Sequence, residues 1–317
     1  MSWLVHVDDA VTEPYCEVPG LVAFEQACRQ HDCHAPFDEH TLLSLQGLRS
    51  VPHARLSVRD GGELVACAVL TEALDSWYIE VAVVPSHRRR GLGRALAQAA
   101  AAHVASHGGG LLRTWVHEIG PAVAVLARDA QIQRTLLVLR RCLTGSLPDV
   151  GVPTRALRQD ERDAWLVLSN AAFAGHPENG GWTRRDLDWR VDLPWTALDR
   201  WPVVAEGDRL LAGVWTKLEE RSSCGELYVV AVDPASQGRG LGKAVVAAAL
   251  RRLAEAGCRS ANLYVDADNT SAVALYRGAG FVDGDVHRCL QLSVSATGTA
   301  TGRTMPAGAG GQVQAGL

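Results

Sequence analysis

The sequence predicts an α/β (α+β) chain of two tandem domains, each a mixed, largely antiparallel sheet flanked by helices. Three observations carry this. The 317 residues exceed one ordinary domain of ~100–200 residues. A long segment recurs about 150 residues downstream. Each copy sets strand patterns around one long Ala-rich helix pattern.

The repeat is YIEVAVVPSHRRRGLGRAL from Tyr78 and LYVVAVDPASQGRGLGKAV from Leu227. Both are a β-branched run, a proline, a polar turn, Arg-Gly-Leu-Gly, a cation and a helix. Upstream, RLSVRDGGELVACAVL alternates around Asp60-Gly61-Gly62, and VVAEGDRLLAGVWTKL around Glu206-Gly207-Asp208, two hairpin signals. Downstream, PAVAVLARDA from Pro121 lies under SAVALYRGAG from Ser271. So long a period means a duplicated domain, not a solenoid unit. Each module reads as N-terminal helices, hairpin, strand, Gly-rich turn, long helix, then strand–helix–strand. Residues 143–153, LTGSLPDVGVP, are turn-rich and form the linker. The domains are therefore 1–142 and 154–293. Residues 294–317 are too poor in large apolar groups to offset ordering entropy, and a disordered tail is expected.

A hydrophobic fraction of 47% suffices for two cores, and a net charge of -4 gives no basic face for nucleic acid. MSWLVHVDDA lacks the regions of a signal peptide. The Ala-rich run 95–104 is shorter than the ~20 residues a bilayer requires. A cytoplasmic monomer with no membrane or nucleic-acid partner is expected. Cys16, Cys28, Cys33, Cys67, Cys142, Cys224, Cys258 and Cys289 are scattered and read as reduced structural thiols. Cys28, Cys33 and His34 fit no common zinc spacing, and no metal is expected.

In Gln237-Gly238-Arg239-Gly240-Leu241-Gly242-Lys243, glycines permit positive φ and close backbone approach. Their N–H groups converge at a helix N-terminus, where an anion is favoured. With Arg239 and Lys243 this is a pyrophosphate cradle. It is neither a P-loop nor a dinucleotide fingerprint, because both spacings differ. The bland alternative, a strand–helix turn with no ligand, is weakened by the second copy.

Arg88-x-x-Gly91-x-Gly93 and Gln237-x-x-Gly240-x-Gly242 match the [QR]-x-x-G-x-[GA] acyl-CoA loop of the GNAT acetyltransferase superfamily. Asp268-Asn269 with Ala272-Val273-Ala274-Leu275-Tyr276-Arg277-x-x-Gly280-Phe281 resembles its C-terminal helix. The resemblance covers both halves. Asn170-Ala-Ala-Phe-Ala-Gly-His-Pro-Glu178-Asn-Gly-Gly-Trp182-Thr, Trp215-Thr-Lys217 and Gly225-Glu226-Leu-Tyr-Val-Val-Ala-Val-Asp-Pro resemble one branch, the mycothiol synthase family. The stretch to about residue 75 resembles it only weakly. That resemblance implies acetyl transfer from acetyl-CoA to the cysteinyl amine of Cys-GlcN-Ins, a cysteine–glucosamine–inositol conjugate.

Carried onto matching positions, the resemblance makes Glu226 the base, acting directly or through water, and Tyr276 the acid. On the residues alone, Glu226 is equally an exposed strand-entry residue and Tyr276 a core tyrosine. Val230, Ala231 and Val232 would offer N–H groups to the thioester and pantetheine, with Asn269, Thr270, Ser271, Ala272, Val273 and Ala274 completing the acetyl-CoA site. Glu39, Glu178, Lys217, Glu226 and Tyr264 match acceptor-binding positions. Trp182 reads as core rather than a sugar platform. The first module keeps Val81, Ala82, Val83, Arg89, Arg90, Gly91, Leu92, Gly93 and Arg94. In the repeat register, however, Glu226 falls on Trp77 and Tyr276 on Leu126. This module reads as acyl-CoA-binding with its chemistry lost; Glu80, opposite Val229, is its rival base. Two other readings stay open: a GNAT enzyme for another amine (a peptide N-terminus or aminoglycoside), and a non-catalytic acyl-CoA sensor.

Overall fold

A computed structural model describes residues 3–9, 18–32, 35–38, 41, 53–73, 76–117, 130–149, 151–174, 176, 181–220 and 222–296. Packing divides the chain into two units. The first holds the described residues up to 114, together with 130 and 291–296; the second holds 115–117 and 131–290.

In the first unit, β1 (His6–Asp9), β2 (His53–Asp60), β3 (Glu63–Ala73), β4 (Ser76–Val83) and β5 (Gly110–Val116) lie in that order. All neighbours are antiparallel except the β4–β5 pair. Gly61 and Gly62, at φ +59° and +89°, close the β2–β3 hairpin as expected of a two-residue turn needing two positive φ values. On α1 (Leu21–Asp32), Leu21, Phe24 and Cys28 recur at i, i+3 and i+7 and pack on Cys67 and Val69. On α2 (Leu92–Ser106), Leu92, Leu96, Ala100 and Val104 form a second stripe against Leu56, Leu70, Trp77 and Ile79. β1 precedes α1 where the sequence reading expected helices alone.

The second unit contains β6 (Gln131–Cys142), β7 (Arg155–Ala156), α3 (Arg162–Ala172), α4 (Arg184–Val191), β8 (Pro202–Glu206), β9 (Arg209–Lys217) and β10 (Cys224–Val232). It continues with α5 (Leu241–Glu255), β11 (Ser260–Asp266), α6 (Thr270–Gly278) and β12 (Val282–Val294). The order is β6-β11-β10-β9-β8-β7, with β10–β11 parallel and the rest antiparallel. Leu227, Val230 and Val232 face α5 and α6, whereas Tyr228, Val229 and Ala231 face the tryptophan-rich layer of α3 and α4. β6 precedes the turn-rich segment 143–153 in sequence, yet it pairs with β11 from Cys142↔Ser260 to Leu136↔Asp266. The last four residues of β12 belong to the first unit, where Arg113 Nε donates to Gln291 at 2.9 Å.

One strand detail separates the modules. β10 carries a bulge against β9: Leu227 pairs with Thr216 and Val229 with Trp215, leaving Tyr228 as the extra residue. β4 pairs with β3 across the same stretch without a shift. The parallel ladders end at Glu226↔Asn262 in one unit and Tyr78↔Arg113 in the other. The structural counterpart of Glu226 is therefore Tyr78. Trp77, to which the ungapped repeat assigns it, lies on the opposite face, packed against α2.

Candidate active site

Past Glu226, β10 leaves β11 and remains paired only with β9, through Val230↔Val214 and Val232↔Ala212. The two parallel strands splay here, a feature invisible in the sequence. By alternation the peptide groups of Val230 and Val232 face the gap, donors for an extended ligand added like a strand. Ala231, expected to join them, is instead turned toward β9 like Asp233, whose N–H bonds the Leu211 carbonyl. The first unit splays equivalently: Val81, Ala82 and Val83 lie beyond the last β4–β5 pair, and Val81 is exposed.

A single 3-10 turn, Pro234–Ser236, leads from β10 to the loop. Gly238 and Gly240 have φ +76° and +78°, and Gly240 caps α5 in the left-handed conformation. A Cβ on either would meet nothing within 4 Å, so the concavity is open and glycine is required by φ. Gly242 is different: its Cβ would stand 3.2 Å from Leu275 Cδ2 and 3.5 Å from Val232 Cγ2. Its smallness lets α5 pack on α6 rather than admitting a ligand. Gln237, Arg239 and Lys243 are exposed around the loop and Leu241 is buried beneath it. Arg239 Nη2 pairs with Glu206 at 2.7 Å. In the first unit the turn repeats down to its torsions: Arg89 has φ +64° where Gly238 stands, and Gly91, capping α2, has +86°. A non-glycine residue held there is strained, which needs a reason. Arg90 and Arg94 are exposed, Leu92 is buried and Gly93 is open. Arg88 is a brace, donating to Asp32 at 2.7 and 2.6 Å and to the Val83 carbonyl.

Glu226 stands across β9–β10 from Lys217 and across β10–β11 from Asn262. By alternation from Leu227 it faces away from α5. The Lys217 ammonium lies 5.2 Å over the Trp195 ring and 3.5 Å from Glu219. Tyr264, two residues beyond Asn262 on the same face, feels the Glu226 charge; burial first, then that charge, push its hydroxyl up to about 12. Glu226, Lys217 and Tyr264 are thus brought together. Glu39, Glu178 and Leu126 lie outside the described residues, as do Cys33, His34 and residues 297–317.

Tyr276 approaches from the other face. It is buried with Val273, Phe281 and α5, and desolvation alone raises its pKa well above the ordinary tyrosine range. Its hydroxyl makes no hydrogen bond among the described residues. Asn269 caps α6, its Oδ1 accepting from Ala272 N–H at 3.1 Å and Ser271 Oγ at 3.0 Å. Thr270, Ser271 and Ala274 are exposed, Ala272 is half-buried and Val273 belongs to the core.

Several neighbours of Tyr264 leave no sign in the sequence. His287 of β12 lies 5.7 Å from its ring, and His117 is hydrogen-bonded to His287 at 3.1 Å. Arg140 of β6, ion-paired with Asp285, also acts on it, and Cys224 contacts Asn262 at 3.6 Å. β6 and β12 reach this place only by strand pairing. At the far end of β11, Asp266 accepts from His176 at 3.4 Å and from Arg134 at 2.9 Å. The His176 hydrogen bond and then Arg134 pull its pKa down to about 2. Asn170 clasps Trp182, giving and receiving one bond at 2.9 Å each, while Arg190 covers the Trp182 ring at 4.3 Å. Trp182 is a structural anchor.

The profile of the Acetyltransferase (GNAT) family matches residues 21–126 and again 156–281. The mycothiol acetyltransferase of Salinispora tropica is 41% identical over 290 residues, covering 87% of this chain and 93% of that protein. That of Streptomyces coelicolor is 40% identical over 274 residues, covering 83% and 87%. Among solved structures, a tandem GNAT protein from the clavulanic acid biosynthesis pathway superposes with a TM-score of 0.68 at 16% identity, covering 93% of this chain and all of that one. A GCN5-related N-acetyltransferase from Sphaerobacter thermophilus gives 0.63 at 20%, covering 92% and 96%. These two establish the fold alone. GNAT acetyltransferases use acetyl-CoA as cosubstrate, and the open left-handed cradle, helix N-terminus and splayed strand fit it. The chain is an acetyl-transferring enzyme of the GNAT family, matched once in each half, and belongs with the mycothiol acetyltransferases.

Proposed function

We propose that the second unit transfers acetyl from acetyl-CoA to the cysteinyl amine of Cys-GlcN-Ins, forming mycothiol. The observation that carries this reading is Glu226 at the mouth of the splay, flanked by Lys217 and Tyr264 on one sheet face, with Tyr276 on the other. Bound acetyl-CoA supplies the activated acetyl group. The loop 237–243 holds its pyrophosphate, and the peptide N–H groups of Val230 and Val232 hold the pantetheine arm and polarise the thioester carbonyl.

An α-amine has a pKa of about 7.7–8.0, so a carboxylate is base enough to complete its deprotonation. Glu226 takes the amine proton, directly or through one water. The nitrogen lone pair forms the C–N bond, the C–S bond breaks, and the Tyr276 proton goes to the leaving thiolate. A hydroxyl kept neutral by desolvation, with no partner among the described residues, suits this task. Lys217 meets the hydroxyl-rich body of the acceptor. In the first unit, loop 89–94 with Val81–Val83 holds a second acetyl-CoA.

The test is an acceptor panel: Cys-GlcN-Ins, a simple cysteinyl amine, a peptide N-terminus and an aminoglycoside, followed by thiol release. Cys-GlcN-Ins should have the highest kcat/KM. Equal or better turnover of another amine would replace the acceptor assignment, and the absence of thiol release with every amine would favour an acyl-CoA sensor.

A further inference from the structure

Glu80 lies on β4, two residues beyond the last β4–β5 pair and immediately before Val81. It stands across from Val69 and, by alternation, on the face of Val69, Cys67 and Ala82, which pack toward α1. Glu226 occupies the equivalent face of the second unit. The β10 bulge hides this in the sequence: upstream of it the modules are out of register by one residue, and a residue-by-residue overlay finds only Trp77.

The surroundings of Glu80 are unusual for a structural carboxylate. Oε1 accepts the Asp38 N–H at 3.0 Å, and the Thr41 side chain also hydrogen-bonds the carboxyl. Oε2 is buried and has no hydrogen-bond partner among the described residues. A buried carboxyl oxygen without a donor is costly and rare, and asks for a reason other than folding. Beside Asp38 and Thr41, this face carries the buried apolar groups of Phe24, Phe37, Cys28 and Val69. Burial, and then the charge of Asp38, push Glu80 up to about 8, the range of an amine about to lose a proton. One residue onward begins the splayed segment, followed by a cradle whose left-handed torsions are kept even at Arg89.

We propose that the first unit is a second amine-acetylating centre, with Glu80 as general base and a small, largely apolar primary amine as acceptor. The step balances. The amine proton passes to Glu80 Oε2, and the nitrogen lone pair attacks the thioester carbonyl of acetyl-CoA. The C–S bond breaks, and the proton returns to the thiolate, giving the N-acetyl amine and free CoA. Among the described residues this largely apolar face offers no counterpart of Lys217 and selects against a sugar. The proposal goes beyond acetylation of Cys-GlcN-Ins and rests on acetyl-CoA binding in the first cradle.

The experiment uses the full chain carrying Glu226→Gln and Tyr276→Phe, which silences the second unit. Acetyl-CoA is supplied with phenethylamine or with glucosamine, from neutral to alkaline pH. Thiol release and the mass of the acetylated product are recorded. Release with phenethylamine should exceed that with glucosamine and rise as pH passes about 8. Adding Glu80→Gln should lower it by ~10²-fold or more. Absence of amine-dependent release, or a rate and pH profile unchanged by Glu80→Gln, would overturn the proposal. Titration calorimetry supplies a readout apart from activity: two acetyl-CoA per chain are expected, with and without Glu80→Gln. A stoichiometry of one removes the first cradle and the proposal with it. Two sites without release leave the cradle and remove the role of Glu80. Should Glu80→Gln melt early, Glu80→Asp, which withdraws the carboxylate but keeps it, should retain the pH dependence at a reduced rate. Failure of the unaltered chain to acetylate Cys-GlcN-Ins bears only on the second unit.

Discussion

Tyr276 keeps a hydroxyl in a core position where phenylalanine would fit as well, and its only strong influence is desolvation. Tyr276→Phe should therefore leave the melting temperature unchanged or raise it, while kcat falls. Glu226→Gln should lower kcat more than acetyl-CoA affinity. General acid–base groups contribute ~10²–10⁴-fold, and alkaline pH should restore part of the Glu226→Gln loss because more amine is already deprotonated. Full activity at neutral pH in either variant would remove that residue from the mechanism. Glu80 carries a stability signature of its own. Its folded pKa is raised from 4.5 to about 8, so the native state holds a proton that the unfolded chain has lost across that window. Parent stability should fall as pH rises through the window and level off above it. Glu80→Gln removes the effect, so its melting temperature should gain on the parent from acid toward pH 8. Parallel melting curves would show that Glu80 is ionised in the folded chain.

The loop glycines are not equivalent. Gly240 is held by its φ, and Gly240→Ala should cost about 1 kcal/mol from the left-handed backbone alone, read as a lower melting temperature. Gly242→Ala instead presses on Leu275, the residue before Tyr276. It should lower kcat more than it weakens acetyl-CoA binding, measured as turnover against calorimetric Kd. At the end of β11, Asp266 joins His176 and Arg134. Its folded pKa is depressed from 3.8 to about 2, so its contribution is full above the ordinary value and lost as pH falls through about 2. Asp266→Asn should cost about 2 kcal/mol at neutral pH, fading in acid, as followed by denaturant unfolding at several pH values. The hairpins and the cradle were legible because turn chemistry is local: Gly61-Gly62 and Gly238-x-Gly240 state their torsions in their composition. The β10 bulge was not, because an extra residue shows only against the strand it pairs with.

Across the whole molecule, two cradles of the same torsions precede different sites. Bulky replacements at Gly91 and Gly93 should abolish one acetyl-CoA site while leaving Cys-GlcN-Ins turnover largely intact. The same change at Gly240 and Gly242 should abolish that turnover. Thermal melts must first show the variants folded, since positive-φ glycines resist replacement. Equal loss of Cys-GlcN-Ins turnover from both loops would mean that this reaction needs the first site.

The duplication, the fold class, the acyl-CoA loops and the candidacy of Glu226 and Tyr276 were all legible in the sequence. Repeats, periodicity and turn residues act over a few neighbours along the chain, and such patterns can be read there. Pairing decided the rest. The splay, the exchange of Tyr78 for Trp77 as the counterpart of Glu226, and the gathering of Arg140, His117 and His287 around Tyr264 depend on strands distant in sequence. Whether a carboxyl such as Glu80 is solvated or stranded depends on what packs over it. Desolvation is a property of the folded surroundings, and no spacing of residues along the chain encodes it.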